Sequence, residues 1–239
     1  MTKKAFITGA SRGIGREIAH AFAREGHDVY MVCKNNLASM QEFASSLRES
    51  YGIDAFCYAV DLGDSEALEQ LLETLPEMDV IINNAGISYV GLLTDMALCE
   101  WNQIVNVNLT SAFLICRKFL PAMIRRQSGH IINISSVWDN VGASMEVAYS
   151  ATKGGLNSFT KALAKEVAPS HVQVNAIACG LIDTDMNACF SEEDLNDVIA
   201  EIPADRIGQP EEVAALCLQL VQAPGYLTGQ IIALDGGWI

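Results

Sequence analysis

Positive charge is scarce in this chain. Lys and Arg together number 15 against 29 Asp and Glu, giving a formal net charge of −14 over 239 residues. Such a balance argues against nucleic acid and anionic membrane as partners. Long apolar runs are also missing: none approaches the roughly 20 residues of a membrane span. The apolar run that follows Met1-Thr2-Lys3-Lys4 is too short for a signal-peptide core, so a cytoplasmic location is expected. The seven cysteines (Cys33, Cys57, Cys99, Cys116, Cys179, Cys189 and Cys217) form no Cys-x-x-Cys pair. No Cys/His cluster has ligand spacing, which argues against a structural metal. Most of these thiols are expected to act as small buried hydrophobes. Low-complexity segments and internal repeats are absent as well.

What remains is a chain that is 50% hydrophobic and 18% charged, of a length that suits one α/β domain over residues 1–239. Short apolar, β-branched runs predict strands at Ala5–Thr8, Val29–Cys33, Ala55–Val60, Val80–Asn83, His130–Ser135, Val172–Ala178 and Gln230–Leu234. Amphipathic segments between them predict helices at Ile14–Glu25, Leu37–Tyr51, Ser65–Leu75, Trp101–Gln127, Tyr149–Ala168 and Glu211–Val221. The repeated alternation implies a parallel sheet with helices on both faces. Gly26 and Gly52 stand where helix C-caps belong, and Pro121 predicts a kink in its long helix. Leu181 to Gly208 is long for a connection, as lids and binding loops are. Within it, Ser191 predicts the N-cap of a short helix.

Two motifs carry chemistry. Tyr149-Ser-Ala-Thr-Lys153 puts a phenol and an ammonium one helical turn apart on one face. A nearby cation favours phenolate, so Lys153 is expected to lower the Tyr149 pKa towards the range where a proton donor works best. Thr8-Gly9-Ala10-Ser11-Arg12-Gly13-Ile14-Gly15 joins the first strand to the first helix. Glycines there let the backbone approach a pyrophosphate, which the helix N-terminus attracts. The plainer alternative is a tight turn with no ligand.

With both motifs present, the chain resembles the short-chain dehydrogenase/reductase family along essentially its whole length. Asn83-Asn84-Ala85-Gly86 resembles the family's motif at the end of the fourth strand, Asn108 its helix asparagine, and Ser136 its serine 13 residues before the tyrosine. Asp61 matches its acid near adenine. The resemblance implies a single Rossmann-type, doubly wound α/β domain with a seven-stranded parallel sheet. It implies that Ser136 holds the substrate oxygen, Tyr149 donates the proton, Lys153 holds the nicotinamide ribose and tunes the tyrosine, and Asn108 positions a relay water. Gly9, Ser11, Arg12, Gly13, Ile14, Gly15, Lys34, Asp61, Asn84, Ala85, Gly86, Tyr149, Lys153, Gly180, Ile182 and Thr184 would bind the cofactor. It also implies a homotetramer paired through the helices that begin near Trp101 and Tyr149.

The family's acidic position after the second strand aligns with Cys33, and Lys34 follows. With Arg12 adding a second cation, NADP(H) is expected over NAD. Cys179 replaces the family's usual proline before Gly180, which leaves the grip of Leu181-Ile182-Asp183-Thr184 on the nicotinamide open.

For substrate, the pattern resembles bacterial 3-oxoacyl-acyl-carrier-protein reductases, which receive an acidic carrier on basic side chains. Here the aligned positions are Gln127 and Ser170, and Arg117, Lys118, Arg125 and Arg126 are the cations that could compensate. The stretch Val137–Val147, with Ala178-Cys179-Gly180, also resembles aminopentanone reductases acting on a modified lysine of translation elongation factor P. For such an amine, Glu146 would be the pairing carboxylate. A non-catalytic nucleotide sensor would be expected to lose the serine, tyrosine or lysine, and an NAD-linked alcohol oxidiser fits Cys33 and Lys34 poorly.

Overall fold

The computed structural model describes residues 2–187 and 191–239; Cys189 lies outside them. Seven strands, β1 (Lys4–Thr8), β2 (Asp28–Cys33), β3 (Ala55–Ala59), β4 (Val80–Asn83), β5 (Gly129–Ser136), β6 (Val172–Cys179) and β7 (Ile231–Leu234), form one sheet. Its order is β3-β2-β1-β4-β5-β6-β7, and every pairing is parallel. All eight residues of β6 and all four of β4 are buried. Strands covered on both faces need no polar alternation, so Val80-Ile81-Ile82 of β4 reads as an apolar run, whereas β6 also buries Gln173 and Asn175.

Nine helices complete the fold: α1 (Gly13–Arg24), α2 (Leu37–Tyr51), α3 (Ser65–Thr74), α4 (Leu98–Val105), α5 (Ser111–Arg126), α6 (Trp138–Val141), α7 (Val147–Val167), α8 (Glu192–Glu201) and α9 (Pro210–Gln222), counted among the described residues. One core packs α1, α2 and α9 on one face of the sheet around Ile18, Phe22, Met40 and Cys217. A second core packs α3, α5 and α7 on the other face around Leu68, Phe119 and Leu163. Right-handed crossovers between parallel strands, running in opposite directions from β1, assign the helices to the two faces.

Most predicted elements shift by only one or two residues. The long helix predicted from Trp101 is instead α4 and α5 joined by a π-helical turn at Asn106–Thr110. The helix runs on through Pro121 to Arg126, and its departure from α geometry comes earlier, at that turn. The stretch Leu98–Arg126 is long and apolar enough to cross a membrane, yet 61% of its most apolar window is buried inside the protein. It is a core helix. Gly52 caps α2 in the left-handed region, and Ser191 caps α8, its hydroxyl accepting from the Asp194 amide. Of the described cysteines, Cys33, Cys116, Cys179 and Cys217 are buried, Cys57 is half-buried and Cys99 is exposed.

The chain order reverses at β1, whose neighbours are β2 and β4. Parallel sheets bind ligands in the crevice outside the carboxyl ends of strands at such a reversal. The candidate site lies there.

Candidate active site

The glycine turn after β1 is braced from β4. The Thr8 hydroxyl accepts from the main-chain amides of Asn84 and Ala85, each at 3.0 Å. Asn84 Nδ2 donates back to the Thr8 carbonyl at 2.8 Å. Gly9 has φ +68° and a side chain there would press on Asn84 Nδ2 at 2.9 Å, so this position needs glycine on both counts. Asn84 therefore shapes the turn as well as lining the site. Thr8, the last residue of β1 and the first of the glycine motif, joins the two loops.

Above this turn lies a cavity of about 610 Å³. It is lined by Gly9, Ser11, Arg12, Gly13, Ile14, Gly15, Lys34, Asp61, Asn84, Ala85, Gly86, Gly180, Ile182 and Thr184, together with Ser136, Glu146, Tyr149 and Lys153. Residues more than 170 positions apart in sequence thus meet around one space. Asn108 is the predicted site residue missing from this lining. It is 3% exposed and sits behind the wall. Its amide donates to the Ile87 carbonyl and accepts from the Ile87 amide, both at 2.9 Å, and donates to Thr152 Oγ1 at 3.1 Å. These bonds hold the segment after β4 against α7.

The proton-transfer groups depart from expectation in one respect. Lys153 Nζ lies 5.4 Å from the centre of the Tyr149 ring and donates to the Ile134 carbonyl at 2.7 Å. Burial pulls the Lys153 ammonium down to about 8, while the Asp139 carboxylate opposes that shift. Burial pushes the Tyr149 phenol above its ordinary value; a hydrogen bond with Ser136 pulls the other way, and Glu146 adds to the rise. The lysine was expected to lower the phenol. Desolvation wins here, with Lys153 buried and Tyr149 half-buried. Tyr149 consequently stands as a protonated donor at neutral pH. Cys179, where proline was expected, is buried beside Lys153 with its thiol pushed up to about 12, so it stays protonated.

The two cations expected to greet a 2′-phosphate both have carboxylate partners. Lys34 Nζ is 2.7 Å from Asp61 Oδ2, and Arg12 Nη1 is 3.3 Å from Asp185 Oδ2. Burial works against the Asp61 carboxylate, but Lys34 and the Gly63 amide hold it below its ordinary pKa. Both pairs are substantially exposed, so each contributes little and can be exchanged for a phosphate.

At the other end, Glu146 accepts a hydrogen bond from Ser88 on the cavity wall. Among the described residues no salt bridge is formed by Glu146. Trp138, which follows Ser136 by two, and Trp238 from the C-terminal tail also line the cavity. Nothing in local sequence pattern signalled Ser88 or Trp238. Behind the site, Asp139 accepts from Ser135 Oγ at 3.3 Å and from Asn157. Deeper still, Asn83, Asn133 and Thr160 form a buried chain with both bonds at 2.8 Å, tying β4 and β5 to α7.

The four α5 cations do not form an open basic patch. Arg117 and Lys118 pair with Glu69 and Glu73 of α3. Arg125 pairs with Glu77 at 2.7 Å, and Arg126 with Asp79 at 3.3 Å. Arg126 also donates to the Met78 carbonyl just before β4. This end of α5 lies at the amino ends of the strands. Within one chain it is separated from the cavity by the length of β5, about 23 Å.

Comparison with known proteins gives a consistent picture. The family model for short chain dehydrogenases matches residues 3–195. An uncharacterized oxidoreductase of Bacillus subtilis, YmfI, is 38% identical, covering 100% of this chain and 99% of its own. A 3-oxoacyl-[acyl-carrier-protein] reductase, FabG, of Aquifex aeolicus is 40% identical over 98% of this chain and 96% of its own. A solved structure from Beutenbergia cavernae, named as a candidate NAD(P)-dependent gluconate 5-dehydrogenase and holding NADP at low occupancy, superimposes with a TM-score of 0.94. It is 34% identical and covers 99% of this chain and 96% of that one.

Proposed function

The chain belongs to the short-chain dehydrogenase family, and from that premise we propose that it is an NADPH-dependent reductase of ketones. The single observation carrying this reading is the convergence of Ser136, Tyr149 and Lys153 on the cavity that the glycine turn floors. The residues suit a dinucleotide. α1 begins at the cavity with no side-chain cap and no acidic residue in its first turn, so its first amides are available to a phosphate. Gly9, Gly13 and Ile14 would hold the pyrophosphate, Asp61 would face the adenine, Lys34 and Arg12 the 2′-phosphate, and Lys153 the nicotinamide ribose. Cofactor of this class supplies hydride.

The chain's own groups do the rest. Ser136 and Tyr149 orient the carbonyl oxygen by hydrogen bonds. As the carbonyl carbon gains hydride, charge develops on the oxygen, and Tyr149 gives it the phenolic proton, leaving a secondary alcohol. The Lys153 ammonium stabilises the phenolate left behind until it is reprotonated. A cytoplasmic location and a homotetramer paired through α4–α5 and α7 are part of the proposal.

Relatives named 3-oxoacyl-carrier reductases support a 3-oxoacyl thioester as substrate. One observation favours a second reading, a ketone that carries an amine. Glu146 presents a carboxylate on the wall beside Tyr149, and the α5 cations that would receive an acidic carrier are already paired. The experiment is NADPH turnover with acetoacetyl thioester, a neutral ketone and an amine-bearing ketone, by wild type and Glu146→Gln. Selective loss on the amine supports the second reading. Equal rates on the amine in both proteins return the assignment to the thioester. No turnover of any of the three refutes the ketone-reductase reading.

A further inference from the structure

Two of the chain's three tryptophans meet at the substrate end of the cavity. Trp138 and Trp238 lie edge to face, with ring centres 5.1 Å apart and planes at 67°. This geometry is the favoured one for an aromatic pair. The rings come from elements 100 positions apart, and both line the same space as Ser136 and Tyr149.

The tail is fixed rather than loose. Trp238 Nε1 donates to Glu201 Oε2 at 3.3 Å, at the end of α8. The Ala204 amide donates to the Gly236 carbonyl at 3.1 Å. Asp235 accepts from the amides of Gly237 and Ile239, at 2.9 and 3.1 Å, folding the tail's last turn. Trp138 is tied to the catalytic end through its main chain, whose amide donates to Ser136 Oγ at 3.3 Å. Ser136, Tyr149 and both rings line one cavity, so an arm extending from a carbonyl held by Ser136 and Tyr149 can reach this wall.

We propose that Trp238 is a specificity-determining residue, which with Trp138 forms an aromatic wall binding the longer arm of the ketone. The carbonyl end of the substrate is read by Ser136 and Tyr149, and the arm is read by the C-terminal tail. Small ketones, whose arms do not reach the wall, gain nothing from it. The inference rests on the ketone-reductase reading for its kinetic readout alone; arm binding itself can be measured without turnover.

The test uses full-length wild type, Trp238→Ala and Trp238→Phe, with acetone, 2-butanone and 2-octanone as probes and saturating NADPH. NADPH affinity equal to wild type establishes that each variant is folded. Trp238→Ala should raise KM for 2-octanone about tenfold, which corresponds to about 1.4 kcal/mol, with kcat and the acetone KM unchanged. Trp238→Phe should restore most of the loss. In parallel, 2-octanone binding to the oxidised-cofactor complex is followed by indole fluorescence, which Trp238→Phe should reduce. If no ketone turns over but 2-octanone still binds wild type more tightly than Trp238→Ala, the reductase reading fails and the wall stands. Equal effects on all three probes would mean that Trp238 only supports α8, and unchanged KM and affinity for 2-octanone would also overturn the proposal. If Trp238→Ala fails to bind NADPH, Trp238→Leu decides through the same comparison: a raised KM for 2-octanone alone supports the wall, and an unchanged one overturns it.

Discussion

Lys153 stands 5.4 Å from the centre of the Tyr149 ring while its ammonium is bonded to the Ile134 carbonyl at 2.7 Å. The one-turn spacing on α7 brings the two residues together, but β5 decides where the charge points. Burial keeps Tyr149 a neutral acid, and of the two residues Lys153 titrates nearer to neutrality.

Tyr149→Phe should abolish ketone reduction and leave NADPH affinity unchanged. The hydroxyl is the proposed proton donor, and the proposed 2′-phosphate contacts belong to Lys34 and Arg12. Removing a positioned general acid costs about 10²–10⁴-fold. Turnover and cofactor fluorescence, measured separately, check this; turnover within tenfold of wild type would remove Tyr149 from the mechanism.

Reduction should weaken in alkali, with an apparent pKa near the 8 of Lys153. The sign follows from the lysine: its charged form stabilises the developing phenolate, and it is charged below about 8 and neutral above. The pH profile of kcat/KM should be flat from 6 to 7 and fall above 8. Asp139→Asn should move the falling limb to lower pH, because the Asp139 charge helps to keep Lys153 protonated. A limb that stays in place would remove Asp139 from this role.

Cofactor preference should depend on the Lys34–Asp61 pair. Lys34→Asp should lower NADPH affinity about tenfold to hundredfold, since a charge-assisted bond is worth about 1.5–3 kcal/mol. Asp61→Asn should act in the other direction on the phosphate, by releasing Lys34 from its carboxylate partner. Titration of both variants with NADPH and NADH distinguishes the effects. Equal use of NADH by wild type would refute the NADP(H) assignment.

Arg125→Glu with Arg126→Glu should lower the melting temperature by a few degrees and leave kcat/KM for small ketones within about twofold. The substitutions break pairs with Glu77 and Asp79, and Arg126 loses its bonds to Met78 and Ser128. Exposed pairs contribute about 0–1 kcal/mol each. A loss confined to a carrier-linked substrate, and fading with salt, would restore the acidic-carrier reading.

The sequence by itself determined the sheet, the glycine turn and the proton-transfer motif. Each depends on neighbours in the chain: buried β-branched runs such as Val80–Asn83, the step from Thr8 into α1, and the four-residue spacing of Tyr149 and Lys153. Local periodicity records these because strand pleat and helix turn repeat over a few residues. The tertiary structure alone decided which partner each side chain keeps. Lys34 meets Asp61, Arg12 meets Asp185, Asn108 turns to Ile87, and Trp138 receives Trp238. Strand order sets these meetings by folding distant segments onto the carboxyl ends of β1, β4, β5 and β6, and no spacing along the chain encodes that proximity. Burial acts in the same way. Tyr149 and Lys153 are one turn apart in any helix, but only the tertiary packing around them makes desolvation outweigh the attraction between their charges.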